Sequence, residues 1–182
     1  TNSLVDLVVF GRRAGQHIAK YVTGAPQGRV DNDKAEWWRH RINRLKSSKG
    51  THPGRIFDSM QETMMEKVGV YRTGSEMEKA VSSLQVLRLA YKNVSVHARA
   101  ENFNAEVQTV LELGNLLDLA LHTASSALNR QESRGAHTRD DFPDRNDGDW
   151  LKHSLSSIKD NKVTFKYRDV DVHKWEPKPR IY

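Results

Sequence analysis

Between Gln131 and Asp141 the chain places Glu132, Ser133, Arg134, His137, Thr138, Arg139, Asp140 and Asp141 almost side by side. Carboxylates, hydroxyls, guanidinium groups and an imidazole are the raw material of acid–base and nucleophilic catalysis. A catalytic triad, however, needs groups that converge from separate elements, and neighbours along one loop do not supply that. By residue type alone the stretch reads as a charged, hydrogen-bonded loop docked against another surface. Arg134 and Arg139 are expected to pair with Asp140, Asp141 or carboxylates elsewhere. No catalytic residue is assigned.

Metal and phosphate chemistry have less to draw on. The eight histidines are His17, His40, His52, His97, His122, His137, His153 and His173. None stands in an H-E-x-x-H or other short ligand pair, so no metal site is expected. The chain has no cysteine. That excludes disulfides, a thiol nucleophile, cysteinyl zinc sites and thiolate-held iron–sulfur clusters. No glycine-rich phosphate loop is present, and Gly11 and Gly15, four apart, read as a close-packing spacing on a helix.

The formal net charge of +6 is local. Lys34, Arg39, Arg41, Arg44, Lys46 and Lys49 face only Glu36 between Lys34 and Gly50, which leaves +5 in that stretch. Trp37 and Trp38 lie among these cations, and aromatics interleaved with basic residues can bind single-stranded nucleic acid. Helical spacing offers the plainer reading. Trp38, Ile42 and Leu45 form a buried stripe, with Trp37 beside Arg41 as a cation–π pair.

These residues need elements to hold them. Ser3 with Asp6 has the form of a capping box, and the helix it opens runs through Leu7, Val8, Phe10, Ala14, Ile18 and Val22 to Gly24. Thr51 is read as the cap of the next helix after the basic one, with Pro53 in its first turn and Phe57, Met60, Met64 and Val68 as its stripe. Gly69 is read as its stop. Ser75 and Glu78 form a second capping box. It opens a helix with Met77, Val81, Leu84, Leu87, Tyr91 and Val94 on one face. Asn104 caps the longest helix, lined by Val107, Val110, Leu111, Leu117, Leu121, Ala124 and Leu128 and ending near Arg130. Three amphipathic helices joined by short polar turns predict an antiparallel three-helix bundle. Residues 131–150 read as a loop without helix. Leu151 to Ile158 and Lys162 to Val172 alternate as a β-hairpin about Lys159-Asp160-Asn161, and Trp175 to Tyr182 reads as an extended tail.

The fold class is therefore mainly α: a leading helix, a three-helix bundle, a charged loop and a small β-hairpin. Three regions are expected, at 1–50, 51–130 and 131–182. A length of 182 residues suits one domain, or one with an appended element. Its hydrophobic share of 37% and mean hydropathy of -0.73 are low for a self-contained globule, so much of its surface is expected to meet something else. No apolar run reaches the ~18 residues of a membrane span, and no signal peptide is legible. A start at Thr1 rather than Met suggests a chain whose beginning lies elsewhere.

Several stretches are more specific. Asn2-Ser3-Leu4-Val5-Asp6-Leu7-Val8-Val9-Phe10-Gly11-Arg12 resembles a helix start in the flavoprotein subunits of the succinate dehydrogenase and fumarate reductase family. Val70-Tyr71-Arg72-Thr73-Gly74 is similar to a turn of that family's helical domain. Glu132 to Arg139, continued by Asp141-Phe142-Pro143-Asp144-Arg145 and Trp150-Leu151-Lys152-His153, resembles its C-terminal signature, and Pro179-Arg180-Ile181-Tyr182 its end.

The resemblance implies the C-terminal third of a subunit that binds FAD and oxidises succinate to fumarate. It also implies transfer of electrons to an iron–sulfur subunit and on to quinone. Membrane anchor subunits are implied as indirect partners. The location implied is peripheral, at the cytoplasmic face of a bacterial inner membrane or the mitochondrial matrix side. Ser3 and Leu4 are implied as flavin contacts. A helix N-terminus suits that position, because its unpaired N–H groups and positive dipole end favour the negative charge of reduced flavin. The dinucleotide-binding glycines, the covalent-FAD histidine and the substrate-binding and proton-donating residues are implied to lie upstream. The fragment alone is then expected to be inactive and to bind FAD poorly, with the charged signature docking the bundle onto the flavin domain. Fumarate reductase is the nearest alternative, and L-aspartate oxidase shares part of the Glu-Ser-Arg-Gly motif. A basic helical module binding nucleic acid or protein is the alternative of another class. The resemblance implies no nucleic-acid partner.

Overall fold

The computed structural model describes residues 2–47, 49–98, 100–174 and 177–178, with Asn2 and Ser3 described as backbone only. The chain divides into two units, Thr1–Arg39 and His40–Tyr182.

The first unit holds α1 (Asn2–Gly24) and the first half of α2 (Asn32–Ser47). The helix already runs at Asn2, one residue before the expected Ser3 cap. The side chain of Ser3 lies outside the described residues. Leu4, Leu7, Val8, Phe10, Ile18 and Val22 are all exposed. Asp31 opens α2 by accepting the Lys34 N–H at 3.1 Å. Asp33 in the first turn, and Arg44 and Lys46 in the last, match the helix dipole. Trp37 meets Trp38 edge to face at 4.9 Å. Trp38 is 46% exposed, so the expected buried stripe is reduced to Leu45, with Ile42 half-buried. The reason is positional. Trp38 precedes the part of the helix that belongs to the second unit, where Leu45 enters the core.

The second unit is built on α3 (Pro53–Lys67), α4 (Gly74–Tyr91) and α5 (Ala105–Asn129), which pack on one another. Met60, Val68, Met77, Leu84, Val110, Leu117, Leu121 and Ala124 are buried as their spacing predicts, whereas Val94 is buried past the end of α4, where it bridges to Thr51. Phe57, Met64, Val81, Leu87, Tyr91, Val107 and Leu111 pack at the core's edge. Ile56, Ala80 and Leu113 are buried core residues outside the expected stripes.

Two caps differ from expectation. His52, not Thr51, caps α3, its ring Nδ1 accepting the Gly54 N–H at 3.1 Å. Pro53 at the first helical position fixes the cap at the residue before it. The Thr51 backbone is engaged elsewhere, with Asn93 O at 3.0 Å and Ser95 N at 3.3 Å. Thr73, not Ser75, caps α4, accepting the Glu76 N–H at 3.4 Å. The hydroxyl-to-acid spacing of a capping box is met two residues earlier, by Thr73 and Glu76. Asn104 caps α5 as expected, accepting the Val107 N–H at 3.3 Å. Helix α3 ends at Lys67 with Val68 as its cap, so Gly69 lies just past the stop.

Two short parallel strands, β1 (Tyr71–Arg72) and β2 (Thr138–Arg139), pair Tyr71 with Thr138 and Arg72 with Arg139. Residues 131–150 also contain a four-residue helix, α6 (Asp147–Trp150), where an unbroken loop was expected. Asn146 makes it possible by capping it, accepting the Asp149 N–H at 3.0 Å.

The hairpin of β3 (Lys152–Lys159) and β4 (Lys162–Asp169) is antiparallel and closes at Asp160-Asn161. Both turn residues have positive φ, 49° and 61°, as a two-residue primed turn requires. Ile158 and Val163 pack against the core, and Gln85 donates to Asn161 O at 2.9 Å. Strand β4 stops at Asp169, three residues short of the expected Val172. Of the expected tail, only Pro177 and Lys178 are described.

Candidate functional site

The charged stretch is anchored by two buried charges. Glu132 is fully buried and Arg139 is 2% exposed. An ion inside a protein needs pairing and full hydrogen bonding to offset lost hydration, and both receive it.

Arg139 sits between two helix ends. Its Nη1 donates to the carbonyls of Ala127, Leu128 and Arg130, at 3.1, 3.0 and 3.1 Å, which covers the C-terminus of α5. Its Nε and Nη2 grip both oxygens of Asp141, at 2.7 and 2.8 Å. Asp141 in turn accepts the backbone N–H of Gly74 at 2.8 Å, at the start of α4. A cation therefore meets the negative end of one helix dipole and an anion the positive end of another. The Arg139 hydrogen bonds, with the Gly74 N–H, outweigh partial burial and bring the Asp141 carboxyl down to about 2.

Glu132 is the second hub. It accepts from Arg130 Nη1 at 2.5 Å, Arg134 Nε at 2.8 Å, Arg134 Nη2 at 3.0 Å and the Asn146 N–H at 2.9 Å. Burial pushes its carboxyl up, but these bonds together hold it below the ordinary range. Arg134 also pairs with Asp147 at 2.5 Å, and Asp147 with Arg145 at 2.8 Å. Arg130 continues to the hairpin, donating to Trp150 O at 2.8 Å and Lys152 O at 2.6 Å. The carboxylate of Asp140, an expected partner, joins no ion pair among the described residues.

His137 closes a tight turn with Arg134, the two exchanging backbone hydrogen bonds of 2.8 and 3.0 Å across Gly135 at φ 60°. Its ring Nδ1 lies 2.9 Å from Arg72 Nη1, and its Nε2 lies 3.3 Å from the Arg130 carbonyl. Arginine can only donate, so Nδ1 accepts and the proton sits on Nε2. Burial, and then the charges of Arg72, Arg139 and Arg130, push this imidazole below its ordinary 6.5. It is neutral at pH 7. Ser133 donates to Phe142 O at 2.8 Å and accepts the Arg139 N–H at 2.9 Å, and among the described residues its hydroxyl meets no carboxylate or imidazole. Acid, hydroxyl and imidazole thus meet structural partners, and they form no nucleophilic constellation.

Arg139 pairs with Asp141 and Arg134 with the carboxylates of Glu132 and Asp147, as expected of them. The roles of Arg130, Glu132 and Arg72 were not read from sequence. One signal was available. Residues 130, 132 and 134 alternate Arg-Glu-Arg, and an extended segment places such positions on one face. Leu4, an expected flavin contact, is 70% exposed in the first turn of α1. Among the described residues, no helix is long and apolar enough to cross a membrane, and no group of three acidic or histidine side chains is placed to hold a metal ion.

The family described as "Fumarate reductase flavoprotein C-term" matches residues 57–182. The chain is 38% identical to the succinate dehydrogenase flavoprotein subunit of Rickettsia conorii, over 94% of this chain and 29% of that protein. It is 36% identical to the fumarate reductase flavoprotein subunit of Mycobacterium tuberculosis, over 100% of this chain and 33% of that one. Among solved structures, an E. coli quinol fumarate reductase superposes with a TM-score of 0.89 at 33% identity, covering 99% of this chain and 32% of that one. The Mycobacterium smegmatis Sdh1 complex gives 0.81 at 31% identity, over 92% and 29%. This chain spans about a third of the length of the curated relatives it matches. From Phe57 onward the sequence carries a family signature, and the fold agrees with solved members: the chain belongs to the C-terminal family of succinate dehydrogenase and fumarate reductase flavoproteins, a family of oxidoreductases.

Proposed function

We propose that this chain forms part of an FAD-containing subunit that interconverts succinate and fumarate and passes electrons to or from an iron–sulfur subunit. The observation that carries this reading is similarity along the whole chain to subunits bearing those two names, at 36% identity over 100% of its length. Both names occur among the relatives, so succinate oxidation and fumarate reduction stand together as directions of one chemistry. Quinone and membrane anchor subunits follow as indirect partners. The setting is peripheral to a bacterial inner membrane or the mitochondrial inner membrane.

Within that subunit, residues 1–50 would close the flavin domain and connect it to the bundle of residues 51–130. Residues 131–182 would hold the bundle's end. Leu4, with Ser3, would border the flavin. The first turn of α1 carries no acidic residue and presents Leu4 to its surroundings, which suits an electron-rich ring edge. Bound flavin supplies two-electron redox chemistry. The chain's own contribution there is the helix dipole and the apolar Leu4 contact. Catalytic side chains would come from outside these residues.

The test is complementation. The chain alone is expected to show no succinate-dependent dye reduction. Co-expressed with the N-terminal two-thirds of a relative, it should yield a yellow complex that reduces dye with succinate. Leu4→Asp in that complex should weaken flavin retention. Turnover by the chain alone, or a complex without flavin, would overturn the reading.

A further inference from the structure

We propose that the cleft beside β1 is a binding site for a small oxyanion, carboxylate or phosphate, gripped by Arg72 and assisted by the hydroxyls of Thr123 and Ser126. The cleft has a volume of about 370 Å³ and is walled by Arg72, His122, Thr123, Ser126, Arg130 and His137. It is open to solvent and has room for a small anion.

Arg72 differs from the other arginines of the cluster. Arg130, Arg134 and Arg139 each hold a carboxylate. Among the described residues Arg72 holds none, and only burial perturbs it. Its Nε is fixed by Gly69 O at 2.7 Å and its Nη1 by His137 Nδ1 at 2.9 Å, while Nη2 has no partner among the described residues. The guanidinium is thus held in one plane with a donor to spare, and little rotamer entropy remains to be lost on binding.

The neighbouring carboxylates cannot swing in to neutralise it. Glu132 is held by Arg130, Arg134 and the Asn146 N–H, and Asp141 by Arg139 and the Gly74 N–H. The hydroxyls of Thr123 and Ser126 make no hydrogen bond among the described residues, leaving both able to donate. His122 is steadied by Ser156 Oγ at 2.8 Å from its Nδ1. Local potential agrees, since the charges of Arg72, Arg139 and Arg130 add to burial in lowering the His137 imidazole. This inference stands apart from the flavin reading and needs nothing beyond the second unit.

The oxyanion has two sources, a free metabolite-sized anion or an acidic side chain of another protein segment. The chain itself is titrated at pH 7.5 with inorganic phosphate, with succinate and with acetyl-glutamate amide. His122 and His137 ring signals are followed by NMR, and heat by calorimetry. Saturable shifts confined to these rings are expected, and Arg72→Ala should weaken binding at least tenfold. Tighter binding of phosphate or succinate assigns the free anion. Tighter binding of the blocked glutamate assigns a protein side chain. Should Arg72→Ala fail to fold, the double variant Thr123→Ala, Ser126→Ala carries the test and should weaken binding severalfold. No saturable shift with any probe, or binding unchanged in a folded Arg72→Ala variant, overturns the proposal.

Discussion

Arg139 and Asp141 grip each other at two points, 2.7 and 2.8 Å apart, while one covers the carbonyl end of α5 and the other the amide end of α4. The pair is the joint between two helices of the bundle. Arg139→Ala would remove the two-point grip on Asp141 and leave the carbonyls of Ala127 and Leu128 without that donor. A buried acceptor left without its donor costs about 1–3 kcal/mol, and urea unfolding should show a loss of that order. Arg139→Lys keeps the charge but not the fork, so it should recover only part of the loss.

Acid should weaken the protein in two stages. His137 is held below its ordinary 6.5 in the fold, so the unfolded chain binds that proton first. Its contribution is complete above about pH 6.5 and declines as pH falls below that value. Asp141 titrates at about 2 in the fold against an ordinary 3.8, so its contribution is complete above 3.8 and disappears as pH falls toward 2. Urea midpoints measured from pH 8 to pH 2 should trace both declines. His137→Gln should flatten the upper one and spare the lower.

Gly50 is fixed by contact rather than by conformation. A Cβ there would lie 1.7 Å from the backbone carbonyl oxygen of Asn93. That oxygen already accepts the Thr51 N–H, so neither chain can yield without breaking the Thr51–Val94 bridge. Gly50→Ala should cost about 1–3 kcal/mol, the range of an overpacked site. Thermal unfolding would measure it, and an unchanged midpoint would contradict the close approach.

Asn104 does more than cap α5. Its Nδ2 also holds the carbonyls of Ala98 and Ala100, at 3.1 and 2.9 Å, and so folds the preceding loop onto the helix start. Asn104→Ala should cost about 1–2 kcal/mol, the upper range for a cap. Asn104→Asp should restore the cap but not the loop, an intermediate outcome in the same denaturation experiment.

The helices were legible because their apolar spacing is carried by large side chains. Met77, Leu84, Leu117 and Leu121 announced the faces that are buried. Asp160-Asn161 announced the hairpin, because few residue pairs tolerate two positive φ values. The caps at His52 and Thr73 were less legible, since several polar side chains near a helix start compete, and only at His52 does a proline decide among them. The Arg72–His137 contact was invisible, because a strand of two residues has no periodicity to read. Trp38 was misplaced for a related reason. Spacing identifies a face but not the point along a helix where a core begins. Ser133 and His137 stood close in sequence and still serve separate structural bonds, which only the geometry reveals.

The pairing of β1 with β2 has a kinetic consequence. Arg72 and His137 are 65 residues apart, and the two strands between them contribute two backbone positions each. Closing so long a loop for so few bonds is unfavourable until the intervening helices have shortened it. The bundle should therefore condense first and the strap latch last, so that the oxyanion cleft appears only as the final step of folding. Amide exchange at Asp140, whose N–H is held by Arg72 O at 2.9 Å, should then report the opening of the latch well before the core of α5 gives way.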